Sequence, residues 1–147
     1  MKIKTEIDVK PSEYFRHLCN VMIKDIKKQT DKDITMKDLM DGYQYDRPIT
    51  YKNRTGYIKI HIGPLIQDKY FFASYETNDT KGNYYYDFSS ENGKNYLVYG
   101  EENDYKEVTV GNYFGNLSRK LKAKATERKA LQNIELTQTY IKNHKDE

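Results

Sequence analysis

No stretch of about 18 consecutive apolar residues occurs, so the sequence offers no membrane-spanning helix. The opening MKIKTEIDVK lacks the apolar run of a signal peptide, and a cytoplasmic protein is expected. Cysteine occurs once, at Cys19, which excludes an internal disulfide and fits a reducing compartment. No glycine-rich phosphate loop is present; GNYFG, residues 111–115, reads instead as a hinge into the last segment. No G-x-S-x-G nucleophile elbow occurs, so nucleophilic catalysis has no local signature. His17, His61 and His144 fall in three different segments, and Cys19 stands two residues from His17 on another helix face. Convergent ligand spacing is missing, so neither a metal nor any other cofactor is expected.

What is abundant is tyrosine. Fifteen Tyr and five Phe offset a hydrophobic fraction of only 37%, because each buried ring removes a large apolar area from water. A chain of 147 residues falls in the commonest size range for one domain, and a single domain over 1–147 is expected. The net charge is +3, unevenly spread. From Asn116 onward eight Lys or Arg stand against four Asp or Glu, and the residues before it carry 17 against 18.

Residues 2–9 alternate, with Ile3, Ile7 and Val9 on one side, as in a half-buried strand. Pro11 suits a first helical position, and Phe15, Leu18, Cys19, Met22 and Ile26 follow at helical spacing as a core face. Thr35 and Asp38 form a capping-box pattern ahead of Met36, Leu39 and Met40, and Gly42 suits a helix C-terminus. From Gly42 the period falls to two, with turn residues recurring through about Glu102. Tyr43, Tyr45 and Arg47 share a face until Pro48, which belongs on an edge or a strand end. Ile58, Ile60 and Ile62 share another, and the segments from Lys69 to Thr77, Tyr84 to Ser89 and Tyr96 to Glu101 complete a meander. Strand alternation turns the YYY run into Tyr84 and Tyr86 inward with Phe88, and Tyr85 outward.

The tail has no Gly or Pro after Gly115. Leu117, Leu121, Ala125, Arg128, Leu131, Ile134, Gln138 and Ile141 fall near a 3.5-residue spacing. A long helix of about residues 115–143 laid across the sheet is predicted. Arg119, Lys120, Lys122, Lys124, Arg128 and Lys129 make it basic, but they spread around the circumference without interleaved aromatics. A solvated helix face is the commoner meaning of such a pattern, and nucleic acid or an anionic surface is the alternative partner.

This order of elements, strand, helix, short helix, antiparallel meander and long helix, resembles the α+β helix-grip fold of the START and birch-pollen-allergen-like (SRPBCC) superfamily. There, a curved antiparallel sheet wraps around the C-terminal helix. More narrowly, MKIKTEIDVKPSEYF, MKDLMDGYQY, YIKIHI, LVYGEE and TYIKN resemble the bacterial domain-of-unknown-function family 3284. The resemblance implies a fold and no established activity, so no catalytic residue transfers. It also implies an inward phase for Phe71, Ala73, Tyr75, Leu97, Tyr99 and Glu101.

On that phase, Tyr43, Tyr45, Tyr75, Tyr86, Tyr99 and Glu101 would line a mostly apolar pocket for a lipid-like or planar aromatic small molecule. Arg47 would reach the rim near Glu101. Two structural alternatives stand beside it: a filled core with no cavity, and an Arg–Glu or Tyr–Glu contact that merely fixes the sheet. An enzyme using Tyr and Glu as acid and base would rest on fold analogy alone.

Overall fold

The computed structural model describes residues 1–51, 53–78, 80–103 and 114–145, with the side chains of all these except 51, 54 and 114–122. The chain runs β1 (Lys2–Ile7), α1 (Pro11–Thr30), α2 (Met36–Met40), β2 (Tyr43–Tyr51), β3 (Arg54–Ile62), β4 (Tyr70–Glu76), β5 (Lys81–Glu91), β6 (Lys94–Asn103) and α3 (Phe114–Asn143).

Local chemistry sets the boundaries. Pro11 opens α1, where its missing N–H costs no hydrogen bond, and the Glu13 carboxylate accepts from the Lys10 N–H at 3.2 Å. Thr35 and Asp38 close the capping box on α2: Thr35 Oγ1 accepts from the Asp38 N–H at 3.2 Å and Asp38 Oδ2 from the Thr35 N–H at 2.8 Å. Gly42 then adopts φ +93°, a conformation that costs other residues more.

The strands form one antiparallel sheet in the order β1-β6-β5-β4-β3-β2. A meander therefore runs from β2 to β6, and β1 returns to flank the last strand. Pro48 lies within β2 and not at its end. It is tolerated because β2 is an edge strand of the sheet. One face of the sheet packs on α1 and α3. Ile62, Phe71, Ala73, Phe88 and Leu97 from the sheet join Tyr14, Phe15, Cys19 and Ile26 of α1 in a buried core. The outward phase has aromatics of its own, since Tyr70 stacks on both Phe72 and Tyr85. Burial pushes the Cys19 thiol up to about 12, so it packs as an inert apolar group.

α3 docks by its C-terminal part. Ile134 and Ile141 enter the core, the Asp8 N–H donates to Gln138 Oε1 at 2.8 Å, and Lys142 pairs with Asp8. The seam predicted at 3.5-residue spacing is not the buried stripe of α3. Ala125 and Arg128 are exposed, and Leu131 is 44% exposed. With 3.6 residues per turn, the stripe running back from Ile141 through Thr137 and Ile134 reaches Ala130, and Leu131 is rotated off it. The side chains of Leu117, Leu121, Arg119, Lys120 and Lys122 and the hinge residues 111–113 lie outside the described residues, whereas Lys124, Arg128 and Lys129 are exposed.

Candidate functional site

The antiparallel register places the inward side chains in rungs across the sheet, because directly opposed residues share a face. Ile3, Tyr99, Tyr86 and Phe71 form one rung. Glu101, Tyr84, Ala73, Ile62 and Tyr43 form the next, and Gly82, Tyr75, Ile60 and Tyr45 the third. Each inward phase expected from the sequence is met.

Tyr86 is the centre of the ring cluster. Its ring lies 5.0 Å from Tyr99, 6.2 Å from Tyr84, 6.2 Å from Phe71 and 5.8 Å from Tyr14 of α1, the first three edge-on. Such tilted contacts suit aromatic quadrupoles. Tyr75 is held differently: its ring lies over Gly82, where any Cβ would overlap it. Gly82→Ala should therefore force the Tyr75 ring aside and cost roughly 1–3 kcal/mol. Chemical denaturation measures this, and an unchanged midpoint would show that Tyr75 moves freely.

Two carboxylates bound this tyrosine surface. Tyr99 Oη donates to Glu101 Oε2 at 2.8 Å. Tyr45 donates to Asp25 of α1, which is 17% exposed and also accepts from Gln29 Nε2 at 3.4 Å. Arg47 lies at this second group, its Nε 3.9 Å from Asp25 Oδ1, and not at the Glu101 rim expected from the sequence. The register explains the difference. Arg47 is on β2 and Glu101 on β6, with β3, β4 and β5 between them, while α1 brings Asp25 directly over Tyr45 and Arg47.

Burial first, then neighbouring carboxylates and phenols, raise the phenol pKa values further above neutrality. Tyr45 and Tyr99 are pushed up by burial and by Asp25 and Glu101 respectively. Tyr84 rises through burial, Asp25 and Tyr75, and Tyr86 through burial, Tyr14 and Tyr99. Each keeps its O–H at neutral pH and can donate as well as accept. Tyr43 sits at the margin, 6.4 Å from the Tyr45 ring.

The sequence reading omitted Asp25, Tyr84 and Tyr14 from the site. Asp25 falls three residues after Met22 and immediately before Ile26, so an acid beside the apolar stripe of α1 was the available signal. Among the described residues no group of three or more His, Cys, Asp or Glu could hold a metal, and no helix is long and apolar enough to cross a membrane. On the opposite side of the sheet a groove of about 510 Å³ is lined by polar groups including Gln44, His61, Ser74 and Glu102.

The family described as Domain of unknown function (DUF3284) matches residues 1–121. The chain belongs to this DUF3284 family. That match contains both carboxylates and every tyrosine of the cluster. No curated protein matches the chain. Solved structures similar to this DUF3284 chain include the protein of unknown function SA2116 from Staphylococcus aureus, 16% identical with a TM-score of 0.62 over 100% of this chain and 96% of that one. Ara h 8.0201 is 7% identical, with a TM-score of 0.55 over 98% and 97%. TTHA0849 from Thermus thermophilus is 13% identical, with a TM-score of 0.56 over 95% and 97%. At these identities the likeness establishes the helix-grip fold of the DUF3284 chain and nothing about its activity.

Proposed function

We propose that this chain is a single helix-grip domain that binds an apolar or aromatic small molecule against the concave, tyrosine-lined face of its sheet. The observation that carries the reading is the placement of hydroxyls and carboxylates on that otherwise apolar face: Tyr99 with Glu101 on one flank, Tyr45 with Asp25 on the other. A few convergent polar groups on an aromatic lining are the usual means of orienting a small ligand. Tyr86 and Phe71 supply apolar surface, Tyr84 bridges the flanks, and Glu101 anchors a hydrogen-bond donor of the ligand. Arg47, tied to Asp25, acts on the flank remote from Glu101.

Native mass spectrometry of the protein purified from its own cells tests this. A persistent added mass that is lost in Glu101→Gln, with the melting temperature retained, is the expected result. Bare protein from both, or an added mass indifferent to the substitution, would remove the anchor role. Catalysis in the same pocket, with Tyr99 and Glu101 as acid and base, has only fold analogy behind it. Attraction to an anionic surface through α3 rests on Lys124, Arg128 and Lys129, all exposed. Retention on acidic vesicles that fades steeply with salt would favour that reading.

A further inference from the structure

A groove of about 360 Å³ runs between α1 and the C-terminal end of α3, apart from the concave sheet face. That volume lies within the roughly 300–1,000 Å³ span of small-molecule sites. Helical spacing builds its walls. Glu13, His17 and Val21 follow one another at i, i+4 on one ridge of α1, Arg16, Asn20 and Lys24 on the neighbouring ridge. Tyr140, His144 and Lys145 face them, over a floor that includes the buried Ile141.

Two histidines remote in sequence meet here on one ring. Tyr140 stacks on His144 at 4.0 Å with 14° between planes, and lies 5.1 Å from His17. The charge is one-sided. Arg16 and Lys24 take part in no ion pair among the described residues. Glu13, the acidic lining residue, is already engaged by the Lys10 N–H at 3.2 Å and by Lys145 Nζ at 3.9 Å. Lys145 follows the C-terminus of α3, where the helix dipole accounts for a cation. Arg16 and Lys24 lie in the body of α1, away from its C-terminal dipole. The field of Lys24 is felt locally: His17 is held below its ordinary value by burial first and by Lys24 second.

We infer that this groove binds a small phosphorylated molecule carrying a flat ring, with the ring against Tyr140 and His144 and the phosphate drawn by Arg16 and Lys24. A dianion is matched to two cations better than a single carboxylate would be, and the exposed stack offers a π-face.

NMR titration with AMP, with adenosine, and with KCl at matched ionic strength is the test. AMP should shift His17, Tyr140 and His144 saturably, and adenosine should bind at least tenfold more weakly. Bound phosphate should also raise the pKa of His17, which Glu13, Arg16 and Lys24 face from α1 and Tyr140, His144 and Lys145 from α3. The double substitution Arg16→Gln and Lys24→Gln should weaken AMP at least tenfold without moving the melting temperature, since both side chains are exposed. AMP binding no better than adenosine, shifts that KCl reproduces, or affinity indifferent to the double substitution would overturn the inference.

Discussion

Phe71→Ala should lower the melting temperature by about 10 °C. The side chain is 1% exposed and its ring meets Phe15 of α1 at 6.4 Å, Tyr84 at 6.5 Å and Tyr86 at 6.2 Å. Truncating a buried Phe removes its transfer free energy and leaves a cavity, together about 3–5 kcal/mol. In a domain of this size each kcal/mol moves the midpoint by roughly 2–4 °C. The neighbouring Phe72 is the internal control. It points to the other face and stacks on Tyr70 at 6.4 Å, so Phe72→Ala should cost clearly less. Calorimetry of the two variants decides: equal losses would mean that the strand phase placing Phe71 inward is wrong. The same phase puts Tyr75 and Tyr99 on the concave face, so the proposed binding face stands or falls with it.

Between about pH 10 and 12 the protein should unfold cooperatively. Six tyrosines, at positions 14, 45, 70, 84, 86 and 99, are raised above their ordinary value, with burial first among the causes. A raised phenol pKa means that the unfolded chain releases the proton more readily than the folded one. Stability from these groups is therefore fully present below pH 10 and drains away as pH climbs through the folded-state values. Tyr14, fully buried and pushed up to about 12, withdraws roughly 3 kcal/mol over that interval on its own. Cys19, also at about 12, adds in the same direction. Tyrosinate absorbance and circular dichroism recorded together should change in one step. Gradual ionisation near pH 10 with the fold intact would show that the rings are wetter than their packing implies.

Strand alternation and helix caps were legible because both are local. The capping box of Thr35 and Asp38, the Gly42 cap and the inward run of Ile58, Ile60 and Ile62 each depend on neighbours within four residues. The partners of the site were not legible for the opposite reason. Asp25 and Tyr45 are twenty residues apart and on different elements, so only the crossing of α1 over β2 joins them. Arg47 shows the same limit. Its face was readable from the sequence, but the carboxylate it meets depends on the strand order across the sheet. In α3 a seam spaced at 3.5 residues runs through Leu131, whereas at 3.6 residues per turn that leucine turns to solvent and Ala130 is partly buried in its place.

Fluorine NMR of protein labelled with 3-fluorotyrosine, titrated with the neutral aromatic probe N-phenyl-1-naphthylamine, reports directly on which side of the sheet a ligand sits. A concave binding face requires the Tyr86 and Tyr99 signals to shift saturably while the outward Tyr85 and the exposed Tyr57 stay still. Shifts confined to Tyr85 and Tyr57, or no saturable shift at Tyr86 and Tyr99, would contradict it.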